Sequence, residues 1–246
     1  HEWPQAAAAS SESAAATGIR MESTVNTATV TNTGTIMVSA QTTGGDANAV
    51  GILVQDSNVM VPMISAPVTI NNTGGTIIAR NSLDGGATWT HGLAIDTSTA
   101  PNPAVINLMG SGTKVGQIYG DIDISAADVI NVSAGETRFD GKINPDGTLE
   151  GGLNILSGGT LYLQDEPTAN TSYDGAAVVN VDNLSIAAGG KLALQLPSYT
   201  SGSASYPTIV ANTADITGAT LEVRPSSSNG LYGNSYSYDN VIDAET

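Results

Sequence analysis

The sequence predicts an all-β chain, a right-handed parallel β-helix with a capped C-terminal end, and three observations lead there. One phrase recurs, as Gly18-Ile19-Arg20-Met21, Gly51-Ile52-Leu53-Val54 and Gly92-Leu93-Ala94-Ile95, at spacings of 33 and 41 residues. An Asn-containing segment follows each copy: Val30-Thr31-Asn32-Thr33-Gly34-Thr35-Ile36, Ile70-Asn71-Asn72-Thr73-Gly74-Gly75-Thr76-Ile77 and Val105-Ile106-Asn107-Leu108. Short β-branched runs alternate in hydrophobicity and are punctuated by Gly or Asn, with almost no helical periodicity after an Ala-rich start. Repetition at this period means units that bury a face only by stacking on their neighbours, and the product is a long surface rather than one closed pocket.

Residues 1–17, rich in Ala and Ser, read as a leader or linker remnant of a processed piece. They supply neither the basic nor the apolar region of a secretory signal. No run approaches the ~20 apolar residues of a membrane-spanning helix. Residues 18–128 form a first block of rungs, rich in Thr, Asn and Gly. Its strands are expected around Thr29-Val30-Thr31, Thr35-Ile36-Met37-Val38, Val68-Thr69-Ile70 and Thr76-Ile77-Ile78-Ala79. A unit of 33 to 41 residues is expected to hold two rungs. In such a stack Asn32, Asn72 and Asn107 either hydrogen-bond to one another as a ladder or serve singly as residues that tolerate a left-handed turn.

Residues 129–246 form a second block in which Leu fills the inward positions. Its grammar is strand, Gly turn, strand: Val129-Ile130-Asn131-Val132-Ser133-Ala134-Gly135, then Leu153-Asn154-Ile155-Leu156-Ser157-Gly158-Gly159-Thr160-Leu161, then Leu184-Ser185-Ile186-Ala187-Ala188-Gly189-Gly190-Lys191-Leu192, then Ala214-Asp215-Ile216-Thr217-Gly218-Ala219-Thr220-Leu221. A β-sandwich would also use short strands at this spacing, but it would not need the repeated wording.

With 40% hydrophobic and 12% charged residues, the chain can bury a core beneath a surface of Thr, Ser, Asn and Gly. A net charge of −16 opposes binding to nucleic acid or anionic lipid. The absence of Cys suits a protein that crosses a periplasm or works outside the cell.

Catalytic sets are sparse, and no enzymatic activity is expected. His1 and His91 are the two histidines, and His91 occupies the slot before Gly92 that Thr17 and Val50 hold before the other copies, so it reads as a rung-edge residue. Nucleophile-elbow motifs are missing. In Gly120-Asp121-Ile122-Asp123-Ile124 the two carboxylates share one strand face while the isoleucines point inward, an arrangement compatible with acid chemistry, with a divalent cation, or with a solvated outer face. Asp165-Glu166 reads as a solvated turn. Asn144-Pro145-Asp146-Gly147 and Tyr173-Asp174-Gly175 are turns whose oxygens suit Ca²⁺, though neither has a full ligand count; no other cofactor is expected. Asp121, Asp123 and Asp146 are thus the metal candidates, all weak. Trp89, in a Gly-rich excursion, is either a contact point for sugar or protein or a lid folded over the core. Tyr232, Tyr236 and Tyr238 are placed as a cap over the last rung.

From residue 18 to 246 the order and spacing of these segments resemble the β-helical passenger domain of a bacterial autotransporter of type V secretion. The run from Gly158-Gly159-Thr160-Leu161 to Ala219-Thr220-Leu221-Glu222-Val223 is similar to its C-terminal autochaperone or junction region. The close, Tyr232-Gly233-Asn234-Ser235-Tyr236-Ser237-Tyr238-Asp239-Asn240-Val241-Ile242-Asp243-Ala244, is similar to the ending that precedes the translocating barrel. Neither the family's signal sequence nor its barrel lies within these residues. The resemblance implies a non-enzymatic protein of the bacterial cell surface, associated with the outer membrane through a barrel linked covalently in the precursor. Its role would be stalk, adhesin or self-assembling layer or filament subunit, and its partners further copies or a host glycan or protein. It also implies folding from the C-terminal, Leu-rich rungs outward. Two other classes are a carbohydrate-active β-helix enzyme, a polysaccharide lyase or hydrolase, and a secreted β-sandwich binding module.

Overall fold

A computed structural model of the chain describes residues 5–7, 12–22, 27–55, 67–165, 175–196, 206–225 and 241–245. Every regular element among them is a strand. The strands stack in three parallel ladders, each strand pairing with its equivalent one turn of chain later. The first ladder runs Ala14–Glu22, Ala47–Gln55, Leu93–Asp96, Asp121–Asp123, Lys142–Ile143, the start of Val178–Ile186, the start of Thr208–Asp215 and Ile242–Ala244. The second runs Ala28–Asn32, Val68–Thr73, Ala104–Met109, the first part of Val129–Asp140, Gly152–Ile155 and the later parts of Val178–Ile186 and Thr208–Asp215. The third runs Gln5–Ala7, Thr35–Gln41, Thr76–Ser82, Gly116–Tyr119, the later part of Val129–Asp140, Gly159–Leu163, Lys191–Leu196 and Thr220–Pro225. Among the described strands the antiparallel pair is Thr90–His91 folded back on Arg80–Asn81. A sandwich would need antiparallel ladders throughout; the fold is instead all-β, parallel and solenoid-like.

Period-two alternation builds the interior. Ile36, Ile77, Ile118, Phe139, Leu163, Leu194 and Val223 stand directly above one another in the third ladder. Ile70, Ile106, Ile130, Leu153 and Leu184 do the same in the second. From Ile77 to Leu194 and from Ile70 to Leu184 these side chains are almost wholly buried, each worth about 1.5–3 kcal/mol of hydrophobic stabilisation. Val105 pairs with Val129, so the ladders run on across the compositional change at 128/129.

Three expectations need correction. A 33-residue unit is one rung, not two: Thr17 pairs directly with Val50. Three strands and the turns between them consume the whole repeat. The third copy of the recurring phrase is also displaced, since Val50 pairs with Leu93 and Ile52 with Ile95. Its glycine therefore sits two residues off the register of the first two copies, and an even slip keeps the same side chains inward. The asparagines divide between two ladders. Asn32 donates to Asn72 Oδ1 at 2.8 Å in a buried pair, but Asn107 pairs with Asn71, the neighbour on the outward column.

That outward column is longer than the sequence suggested. Asn154 donates to Asn131, Asn131 to Asn107 and Asn107 to Asn71, at 3.1, 3.2 and 2.8 Å. All three bonds point the same way along the stack, each worth about 1 kcal/mol or less at a half-exposed position.

Candidate functional site

The Asp121–Asp123 strand was the sequence's best place for chemistry, and its alternation is as expected, with Ile122 and Ile124 buried and both carboxylates half-buried on the other side. The two carboxylates nevertheless enter different surroundings. Asp121 Oδ1 accepts the Lys142 N–H at 2.7 Å and lies 3.8 Å from His91 Nδ1. Asp123 stands in register with Asp96. Partial burial pushes the Asp123 carboxyl up to about 6, and the negative charges of Asp96, Asp146 and Glu150 add to the effect, against an opposing hydrogen bond from Ser98.

The sign of the Asp123 shift sets a stability test. Because its folded titration lies above the ordinary carboxylate value, the ionised form is disfavoured in the native state. Stability is therefore fully present below pH ~4, is lost as pH rises from there through ~6, and stays lost above that range. Asp123→Asn should raise stability at pH ~8 by about 1 kcal/mol, after discounting for solvent screening, and should flatten that pH dependence. Urea melts of both proteins at pH ~5 and ~8 check it; an unchanged difference between the two pH values would count against the assignment.

Asp146 is engaged within its own turn: its two oxygens accept the Thr148 N–H at 3.0 Å and the Thr148 hydroxyl at 2.6 Å. These bonds, the hydroxyl first, hold its carboxyl below the usual range. Asn144, two residues earlier, is 1% exposed and buries its side chain. Among the described residues no set of three His, Asp or Glu side chains is spaced to hold a metal ion. Glu166, Tyr173, Asp174, Tyr232, Tyr236 and Tyr238 lie outside the described residues.

Trp89 is buried rather than exposed. It is 6% exposed, and the Arg80 guanidinium lies 4.2 Å above its ring centre. Arg80 Nε in turn donates to Ser39 Oγ at 3.0 Å. Its Gly-rich flank lets the excursion fold back, which is why a lone aromatic in a polar loop ends buried.

A scan against protein-family models, a search of curated proteins and a search of solved structures each find no match to this chain. The resemblance to autotransporter passengers therefore rests on the residues quoted for it.

Two groupings emerge only from the stacking register. On the third ladder Arg224 spans four strands, pairing with Glu222 at 2.7 Å and with Glu136 at 2.9 Å while covering the Tyr162 ring at 4.4 Å. Lys191 joins through Glu222 at 2.7 Å. The Arg224 and Lys191 hydrogen bonds bring the Glu222 carboxyl down to about 2. On the second ladder the amide column from Asn71 to Asn154 makes an uncharged strip with Ser185 in register above it. The strip offers donors and acceptors at the ~4.8 Å strand spacing and contains no nucleophile or proton-transfer group. Sequence inspection could have found Asn131 and Asn154, since each sits between inward aliphatics, but the ion-pair partners lie 88 residues apart.

Proposed function

We propose that this chain is a right-handed parallel β-helix displayed outside the cell as an autotransporter passenger, working without catalysis as a stalk, adhesin or self-assembling subunit. The observation that carries the proposal is the parallel stacking of strand on strand from Ala14 to Ala244, which makes surface rather than pocket. Seven successive pairings along the first ladder correspond to a stack of about 34 Å. The right hand follows from the strong preference of connections between parallel strands. The uncharged amide strip supports an adhesive role for a polyanionic chain, because neutral hydrogen-bonding partners are not repelled there. Self-association and a barrel-linked precursor belong to the same reading.

The experiment places the chain between a secretory signal and an autotransporter barrel in a Gram-negative host and probes intact cells with protease. Surface exposure of a folded, rod-shaped passenger is the expected result; retention in the periplasm would overturn the reading. Light scattering and negative-stain imaging of the purified chain, with and without EDTA, then separate a monomeric stalk from filaments or layers and test for a Ca²⁺ dependence.

C-terminal nucleation gives a further expected outcome. Leu153, Leu161, Leu163, Leu184, Leu192 and Leu194 fill the later core, whereas Ala14, Ala16, Ala40, Ala49 and Ala79 occupy much of the earlier one. Residues 150–246 alone should melt cooperatively and residues 1–130 should not, by circular dichroism; a 1–130 fragment as stable as the whole chain would exclude it.

A second reading, a carbohydrate-active enzyme, draws on Asp123, whose raised titration and neighbouring carboxylates resemble a proton donor beside a base. Reducing-sugar release from a polysaccharide panel, abolished by Asp123→Asn, would favour it over the passenger reading.

A further inference from the structure

His91 is one of two histidines in the chain, and its side chain is 3% exposed. Its Nδ1 lies 3.8 Å from Asp121 Oδ1 and its Nε2 3.6 Å from Asp140 Oδ1, with the Asp140 side chain wholly buried. The three residues come from three consecutive turns of chain. His91 ends the short strand hydrogen-bonded to Arg80–Asn81; Asp121 opens the first-ladder strand one level on; Asp140 closes the third-ladder strand that continues into Lys142–Ile143. Backbone bonds fix this corner: the Asp121 N–H donates to Gly92 O at 2.8 Å and the Gly120 N–H to Asp140 O at 2.9 Å. At Gly141, with φ 148°, a side chain would run into Gly120 O and meet Asp121 Oδ1.

A neutral imidazole carries one N–H and one lone pair, so it would turn a lone pair towards one of the two carboxylates. The imidazolium carries an N–H on both nitrogens and turns positive charge towards each carboxylate at ion-pair distance. The wholly buried Asp140 carboxylate beside the half-buried Asp121, without a cation between them, would also be costly. Other charged or titratable groups stand near this corner. The Arg80 guanidinium lies over Trp89, Lys142 reaches Asp121 through its backbone N–H, and Tyr119 stands in register with Asp140. We propose that His91 is held as an imidazolium between Asp121 and Asp140, a charged clamp that fastens three successive rungs and makes folding of the chain take up a proton.

The clamp holds while His91 is charged and both aspartates are ionised. Above the ordinary imidazole value of ~6.5 the unfolded chain carries a neutral histidine, while the folded chain keeps the proton. In that window the folding constant falls about tenfold for each unit rise in pH, and the stabilisation is lost as pH passes the folded titration point. Asp123 has the same sign, its own loss of stability falling in a lower pH range, so the comparison is best made in the Asp123→Asn background.

The deciding measurement is ¹⁵N NMR of the imidazole rings in the intact chain, with His1 as an internal reference. At pH ~8 both His91 ring nitrogens are expected as N–H while His1 is neutral. A neutral tautomer of His91 at that pH, or titration in step with His1, would overturn the proposal without any variant. In parallel, His91→Gln should abolish the alkaline loss of stability seen in urea melts. Should that variant fail to fold, Asp121→Asn should bring the His91 titration down towards that of His1, and an unmoved titration would again overturn the clamp.

Discussion

Gly159→Ala is expected to destabilise the chain by about 3 kcal/mol, far more than Gly158→Ala at the position before it. The two glycines of Gly158-Gly159-Thr160-Leu161 are needed for different reasons. Gly158 has φ 83° and open space around the Cβ it lacks, so an alanine there meets only the cost of a left-handed conformation, about 1–2 kcal/mol. Gly159 has ordinary φ, but an added Cβ would sit 2.2 Å from Val132 O, on the backbone of the preceding rung. Nothing flexible can give way, and the rungs must part where Gly159 pairs with Gly135. Overpacking of this kind costs about 1–3 kcal/mol or more. Urea melts of the two variants check it, and equal losses would contradict the division of roles. Gly190 repeats the close approach, with Ile155 O 2.6 Å from a Cβ, whereas Gly189 shares the positive φ of 82° but would also bring a Cβ to 2.8 Å from Ser157 Oγ.

Asn144→Ala should cost about 3–4 kcal/mol. Asn144 is 1% exposed and has φ 52°, the one described residue other than glycine with positive φ. Its Oδ1 accepts the Ile124 N–H at 3.1 Å, and its Nδ2 donates to Asn180 O at 2.8 Å and Glu150 O at 3.0 Å. One side chain thereby joins the rung before it to the rung after it. Truncation leaves a buried donor and two carbonyls without these partners, at roughly 1 kcal/mol each, and alanine is also poorly suited to the left-handed region. Asn144→Gly removes the same bonds but relieves the backbone, so it should be about 1 kcal/mol less damaging than alanine. Thermal or urea denaturation of the pair tests both statements; a loss below about 1 kcal/mol for alanine would show that the turn is held by its backbone alone.

The parallel stacking was legible because it depends on features that repeat: alternating β-branched residues, and turn glycines at 135, 158, 189 and 218, all of which have positive φ. What failed was register. Asn71 and Asn72 are adjacent in sequence but point to opposite sides, and nothing local says which of them meets Asn107. The length of a rung was misjudged for a related reason, since loop excursions between ladders carry no periodic signal. At the candidate site, the shared face of Asp121 and Asp123 could be read from alternation, whereas the proximity of Asp121 to His91 and Asp140 could not. That corner is assembled by glycines from three turns of chain whose sequence neighbours give no hint of convergence.

The unequal length of the rungs has a mechanical meaning. Ladder hydrogen bonds lie along the stacking axis, so tension applied between the two ends of the solenoid loads the ladders in series, and the weakest contact yields first. The chain released by each rupture is set by the register offset, from 21 residues where Ile122 pairs with Ile143 to 43 where Val50 pairs with Leu93. At ~3.4 Å per residue these are extensions of about 70 and 150 Å. A pulled molecule would pay out chain in steps of uneven size, and the order of those steps would report which rungs hold longest.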